Sequence, residues 1–132
     1  MNKIIYNFIA YTFLTMIVSS NAEVIVTGAF NAKLTDPESG VVYVLSLDKR
    51  RVIAKSSTGQ LLWDVNPYQD AKLSFYRIAN PPITYFSFPT EQIWQSHKTL
   101  GSKKDFIHIQ FKSSQGGFLQ KQNGKFVFWG QD

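Results

Sequence analysis

The sequence predicts an all-β fold of seven to eight short antiparallel strands, arranged as two packed sheets or two blade-like units. Residues 40–66 align without a gap on residues 105–131, and each copy shows strand, polar loop, strand, glycine turn and aromatic strand. Many short strands with regularly spaced turns are typical of all-β domains. The apolar positions carry most of this match, so the pattern indicates either an internal duplication or two similar three-stranded meanders.

The first 22 residues have the layout of a secretory signal peptide. Lys3 supplies a positive charge, an uncharged apolar run covers residues 8–18, and small side chains precede a cleavage site after Ala22. The run is shorter than the roughly 20 residues that cross a bilayer. We therefore expect one mature domain, residues 23–132, in the periplasm or outside the cell, without a stable membrane anchor.

Composition narrows the classes of protein that fit. The chain has no cysteine and a formal net charge of +5. A secreted domain without disulfides is unlike the small stapled scaffolds of animal fluids, so a bacterial exported protein is favoured. The basic loops could steer an acidic partner or simply keep the protein soluble. We expect no nucleic-acid partner, because no recognition module is present.

Four strands are predicted in the first half, in segments rich in β-branched and aromatic residues. Polar and glycine residues at 35–40, 48–51 and 57–59 supply the turns between them. Gly59 suits a turn with positive φ, because it has no side chain to clash. The predicted strands cover residues 23–30, 41–47, 52–56 and 60–65.

The centre of the chain interrupts the β pattern. Asn66 can cap a helical turn, with Pro67 at its first position and Gln69 at the capping-box position. A further strand is predicted over residues 83–88. Residues 90–104 are polar, with Ile93 and Trp94 as apolar anchors, and the pattern assigns them to no regular element.

The second copy is predicted to form three strands, over residues 106–112, 117–121 and 125–129. Between the last two, Asn123 and Gly124 form a dipeptide that favours a two-residue type I′ hairpin turn, which needs positive φ at both positions.

Side-chain alternation along each strand predicts which face is buried. Val42 and Val44 in the first copy match Ile107 and Ile109 in the second, so these pairs predict a shared buried face. On the opposite face of the second copy lie His108, Gln110 and Lys112. We therefore expect that face of the second copy to meet water.

In the first copy the opposite face is apolar too, because it carries Tyr43, Leu45 and Leu47. Exposed apolar patches are rarely left without a use. The sequence therefore predicts a cover for these side chains. Either residues 68–94 of the same chain fold over them, or a partner protein or second subunit packs there.

Residues 55–63 (KSSTGQLLW) and, more loosely, residues 121–128 (KQNGKFVF) resemble the repeat of quinoprotein-type (PQQ-like) β-propellers. In that family a polar Thr-Gly turn leads into an apolar pair and a Trp that docks between blades. The resemblance implies blade-like antiparallel sheets. Two such units are too few for a closed propeller, so the cofactor site of that family is not carried over. The arrangement is also similar to small exported bacterial proteins with a strand–turn–Trp pattern.

Catalytic and metal chemistry find little support in the sequence. His97 and His108 have no neighbouring acid at motif spacing and no metal-ligand spacing. The acidic residues lie mostly in turns, where they are expected for local hydrogen bonding. We therefore predict no cofactor, no metal and no catalytic residue, although two carboxylates brought together by the fold could still hydrolyse a glycosidic bond.

Aromatic residues make up 15% of the chain. They either pack in the core of a small all-β domain or line a groove that binds a ligand. Those in irregular segments or on the central strand are the better candidates, because loops concentrate recognition residues. The predicted ligand-binding residues are Tyr68, Tyr76, Tyr85 and Trp94. Trp63 and Trp129 are further aromatics that could line a groove.

We therefore predict a non-enzymatic exported binding protein for a protein or cell-envelope ligand. The alternatives are an envelope hydrolase with a carboxylate pair, or a β-rich subunit whose strand edges pair with neighbours in a larger assembly. The pattern gives neither the ligand nor the oligomeric state.

Overall fold

The computed structural model describes residues 32–132. The predicted signal peptide, residues 1–22, and the predicted first strand, residues 23–30, lie outside this range. Within it, the all-β prediction is confirmed, because the chain forms two four-stranded antiparallel sheets connected by short helical turns. No helix among the described residues is long and apolar enough to span a membrane.

Each sheet is a meander in which consecutive strands pair. The first sheet consists of β1 (Lys33–Thr35), β2 (Val42–Leu45), β3 (Val52–Lys55) and β4 (Leu61–Val65). The second sheet consists of β5 (Ile83–Ser87), β6 (Phe106–Phe111), β7 (Gly116–Gln120) and β8 (Phe126–Gly130). The two repeat blocks thus supply the last three strands of each sheet.

The predicted helical turn between the sheets is α1 (Pro67–Asp70), and Asn66 caps it as expected. The Asn66 side chain accepts a hydrogen bond from the Gln69 N–H at 3.1 Å. The reciprocal bond differs from the prediction, because the carboxylate of Asp70, and not the Gln69 side chain, accepts from the Asn66 N–H at 3.1 Å.

The unassigned segment contains α2 (Glu91–Trp94) and two 3-10 turns, Lys98–Leu100 and Lys103–Asp105. Thr90 caps α2, since its side chain accepts a hydrogen bond from the Ile93 N–H at 3.3 Å. A four-residue helix is too short to show a helical period, and for this reason the pattern missed it.

The two copies differ in the lengths of their turns. The first turn encloses four residues, 47–50, in the first sheet but three, 112–114, in the second. The second turn encloses three residues, 57–59, in the first sheet but four, 121–124, in the second. One copy has the longer first turn and the other has the longer second turn, so the total lengths are equal and the alignment needs no gap. The pairing of β6 with β7 is nevertheless shifted by one residue relative to the pairing of β2 with β3.

The register confirms this shift. Val44 pairs with Ile53 in the first sheet, whereas the aligned Ile109 pairs with Gly117 and not with the aligned Phe118. The predicted type I′ turn is also wrong. Gly124 has φ +74°, but Asn123 is outside the positive-φ region and the turn encloses four residues.

In the first sheet the buried face is the one that carries Tyr43, called the Tyr43 face below. Leu34, Tyr43, Ala54 and Trp63 lie opposite one another across its four strands. Tyr43 and Leu45 are buried, whereas Val42 and Val44 are only half-buried. The predicted buried face is therefore wrong for this copy.

The second sheet is buried on both faces. Ile107 and Ile109 are fully buried on one face, as predicted. On the other, called the His108 face below, His108 is 3% exposed and Phe118 is fully buried. The prediction that this face meets water is wrong, because Trp94 of α2 packs against Phe118, with ring centroids 5.2 Å apart.

The predicted cover of the first sheet is confirmed only in part. Tyr43 and Leu45 are buried, but Leu47 lies in the β2–β3 turn and is fully exposed. Residues 68–94, which were predicted to form the cover, contact this turn where the Ile83 N–H donates a hydrogen bond to the Lys49 carbonyl at 2.7 Å. Further along, the same segment provides β5 and then covers the second sheet through Trp94.

Candidate functional site

A cleft of about 620 Å³ opens where the two sheets meet, called the inter-sheet cleft below. The first sheet contributes the β1–β2 turn and Tyr43 to its walls, together with Leu62 of β4. The second sheet contributes Phe106 and the turn after β7. Volumes of roughly 300–1,000 Å³ are typical of ligand pockets.

Lys121 joins the two sheets beside this cleft. Its main-chain oxygen accepts a hydrogen bond from the Trp63 indole N–H at 2.9 Å. Its N–H donates to the Asp105 carbonyl at 2.9 Å, and its ammonium group lies 4.6 Å from the centre of the Phe88 ring. Lys121 thus contacts three separate segments of the fold.

The Lys121 ammonium also forms an ion pair with Asp36, with Nζ 3.0 Å from Oδ2. Both side chains are 13% exposed. The turn that carries Asp36 is shaped by its other carboxylate oxygen, which accepts the N–H of Glu38 at 2.9 Å. The turn closes on Gly40, whose φ of +73° suits glycine.

Two pKa shifts mark this cleft. Burial alone would raise the pKa of Asp36, but hydrogen bonds from the Glu38 N–H and Lys121, with the Lys121 charge, outweigh it and lower the pKa below its ordinary value. Burial, and then the Asp36 charge, raises the pKa of Tyr43 to about 12. Asp36 is therefore an anion and Tyr43 a neutral phenol at neutral pH.

A smaller depression of about 210 Å³ continues the cleft past the ion pair. It shares Asp36, Glu38, Lys104 and Lys121 with the inter-sheet cleft and reaches Phe88. The two cavities therefore share the ion pair in their walls.

The four predicted ligand-binding aromatics do not converge on this cleft. Tyr68 is buried, packs edge-on against Phe111 at 5.5 Å, and donates its hydroxyl to the Ser74 carbonyl at 3.3 Å. Tyr76 is half-buried, and its hydroxyl donates to the main-chain oxygen of Asp132. Both are thus occupied within the fold.

Tyr85 and Trp94 lie together on the His108 face. Trp94 is buried in a cluster with Phe106 and Phe118. Tyr85 is 36% exposed and packs on His108, with ring centroids 4.8 Å apart. Of the four predicted residues, Tyr85 is the one with a partly exposed ring and no side-chain hydrogen bond among the described residues.

The residues of the cleft were not predicted from the sequence. Its ion pair joins Asp36 and Lys121, which are 85 positions apart along the chain. The signals that could have pointed to it were the dense turn 35–40 and the aligned Trp63, whose docking between blades the propeller resemblance implied. No group of three or more potential metal ligands occurs among the described residues.

Comparison of the chain with family models, with curated proteins and with solved structures finds no match.

Proposed function

We propose that this protein is an exported, non-enzymatic binding protein that holds an extended peptide segment of a partner protein in the inter-sheet cleft. The observation that carries the proposal is the cleft itself, because a cavity of about 620 Å³ lined by both sheets has the size of a typical ligand site. Export rests on the signal-peptide pattern of residues 1–22.

The chemistry of the walls favours a peptide over a uniformly charged polymer. Tyr43, Phe106 and Leu62 supply apolar surface, while Glu38 and Lys104 supply charges of opposite sign. Neither Glu38 nor Lys104 forms an ion pair with another described residue. A segment with alternating apolar and charged side chains would satisfy both kinds of surface.

Binding is favoured over hydrolysis by the state of the acids. A glycoside hydrolase needs one carboxyl group whose pKa is raised, so that it can donate a proton. The resolved carboxyl shifts among the described residues all run downward, at Asp36, Asp48 and Glu91. Asp36 is moreover held by Lys121, which leaves it poorly placed as a nucleophile.

The experiment uses two exposed leucines that differ in position. Leu62 is 49% exposed in the cleft wall, and Leu47 is fully exposed in the β2–β3 turn, away from the cleft. A random-sequence decapeptide library is panned on the folded protein, and the selected peptides are titrated by nuclear magnetic resonance.

We expect the selected peptides to shift the amide signals of Gly101, Lys104 and Gln122 in the cleft wall. Leu62→Arg should weaken binding at least tenfold, whereas Leu47→Arg should leave it unchanged. Shifts confined to another surface, or equal affinity of both variants, would overturn the proposal. Release of fragments from purified peptidoglycan by the wild-type protein would favour the hydrolase instead.

A further inference from the structure

A shallow depression of about 180 Å³ lies on the His108 face of the second sheet, called the Trp129 depression below. Its walls include Gln110, Ser114 and Trp129, and its floor includes Gly116 and Gly130. The Trp129 depression shares no lining residue with the inter-sheet cleft.

The register explains why this surface is open. Tyr85, Gln110, Gly116 and Gly130 lie opposite one another across the four strands. Two of the four positions have no side chain. Gly116 is buried, and the Gln110 side chain lies over it, with its Cγ 3.0 Å from where a Cβ would stand. Gly130 is half-buried, and a Cβ there would meet no atom within 4 Å, so the open backbone of this row is that of β8. Glycine inside a strand often marks a place where a ligand approaches the backbone closely.

Trp129 presents a fixed aromatic ring at one end of this row. It is 43% exposed, and it stacks on the buried Phe118 at 6.1 Å with 22° between the ring planes. His97 packs against it edge-on at 4.7 Å. These contacts hold the ring in one orientation before any ligand arrives.

The other wall is held in place by a pair of side chains from the centre of the chain. Arg77 donates to the Ser114 hydroxyl at 3.2 Å and to the main-chain oxygen of Asp132 at 3.3 Å. Tyr76 donates its hydroxyl to the same oxygen of Asp132. Ser114 therefore stands as a positioned hydroxyl group near the aromatic ring, and the Gln110 amide lies in the same lining.

We infer that the Trp129 depression is a second binding site, for a single ring of a neutral saccharide. A sugar ring has an apolar face of C–H groups that stacks on Trp, and hydroxyl groups that hydrogen-bond to amide and hydroxyl side chains. Asp132 is the one charged residue in the lining, so the site has no cationic side chain that would select an anionic ligand.

The test titrates the protein with cellotriose, maltotriose and triacetylchitotriose and follows the indole N–H signal of Trp129. At least one trisaccharide should bind saturably and shift that signal. Trp129→Ala should weaken binding at least tenfold, which corresponds to about 1.4 kcal/mol. Phe128→Ala is the control, because this neighbour is similarly exposed but lies outside the depression.

Gly130→Val gives an independent test, because unlike Trp129→Ala it removes no side chain that packs on the sheet. A Cβ at Gly130 would meet no atom within 4 Å, so the variant should fold normally and fill the floor of the depression. Its affinity should fall at least tenfold, while Leu62→Arg in the inter-sheet cleft should bind saccharide as well as the wild type. Failure of all three trisaccharides to bind at about 10 mM, or unchanged binding by Trp129→Ala and Gly130→Val, would overturn the inference.

Discussion

The two sheets share the same meander order of four strands, yet they bury different numbers of faces. β2 alternates between buried and half-buried residues, as a strand with one core face does. Its counterpart β6 is buried at five of six positions. Tyr43 and His108 occupy aligned positions, but Tyr43 lines the inter-sheet cleft, whereas His108 packs against Tyr85 of β5 and Trp129 of β8.

The difference teaches that the burial of a strand face depends on what packs against it as well as on the residues of the strand itself. His108 is a polar residue on a face that the strand pattern alone would leave in water. It is buried because Trp94, His97 and Trp129 close over the same face, around Phe118. The predictions below test this contrast, from the largest expected effect to the smallest.

The aligned pair Phe118 and Ile53 tests the contrast directly. Phe118 is fully buried, whereas Ile53 is half-buried. Phe118→Ala should lower the free energy of unfolding by about 4 kcal/mol, since it opens a cavity under Trp94. Ile53→Ala should cost only about 1 kcal/mol. Urea denaturation measures both, and similar costs would show that the first sheet is also covered on both faces.

His108 should make stability depend on pH. Burial, and then the nearby His97, lowers its pKa from 6.5 to about 4. The unfolded chain therefore binds a proton near pH 6.5, but the folded chain binds it only near pH 4. Stability should be unaffected by this residue above about pH 7 and should fall by about 3 kcal/mol as the pH drops from 6.5 to 4.

The variant His108→Phe provides the control for this pH dependence. Both ring nitrogens of His108 are buried and have no hydrogen-bond partner among the described residues. Phe keeps the aromatic contacts with Tyr85 and Trp129 and removes these nitrogens. Urea unfolding between about pH 4 and pH 7 should therefore give a flatter stability profile. An unchanged profile would mean that other groups cause the acid sensitivity.

Gly59 and Gly124 are identical in the aligned copies, and both have positive φ. Their surroundings differ. A Cβ at Gly124 would lie 2.8 Å from atoms of Trp63 and Val65, whereas a Cβ at Gly59 would meet nothing within 4 Å. Gly59→Ala should cost about 1 kcal/mol of backbone strain, and Gly124→Ala about 2 kcal/mol more, because the sheets must also separate. Thermal unfolding of the two variants measures the difference.

Leu45 and Leu47 lie two residues apart in the first copy, and the smallest effect is expected at Leu47. Leu45 is 7% exposed and Leu47 is fully exposed. Leu47→Ala should change the free energy of unfolding by less than about 0.5 kcal/mol, whereas Leu45→Ala should cost about 2 kcal/mol. A large loss at Leu47 would indicate that a second subunit covers it, and a concentration-dependent unfolding midpoint would identify that case.

The strands and their order could be predicted, because β-branched runs and glycine turns are local signals. The faces could not be predicted as reliably. The ungapped alignment did not reveal that the turn lengths differ between the copies. The first turn is longer in the first copy, and the second turn is longer in the second copy. One residue of displacement turns a strand over, so the aligned residues of β3 and β7 face different sides. The face of β2 was assigned wrongly for another reason, because both of its faces carry apolar residues.

The candidate sites were less predictable than the strands. Aromatic content pointed to Tyr85, which pairs with Gln110 of the Trp129 depression, but Tyr68 and Trp94 are buried packing residues. The sequence did not indicate that Asp36 and Lys121 form a pair, because charged residues are common in turns and the two are brought together only by the fold. Long-range pairs of this kind need coordinates or covarying sequences to be found.

The opposite order of turn lengths limits how this chain can be rearranged. A hybrid that splices one copy into the other within the central strand would combine two long turns or two short ones. Either product would carry its third strand turned over relative to the strand that it pairs with. The halves are thus similar in shape but cannot be recombined within a hairpin, and only exchange of entire sheets would keep the native pairing of the strands.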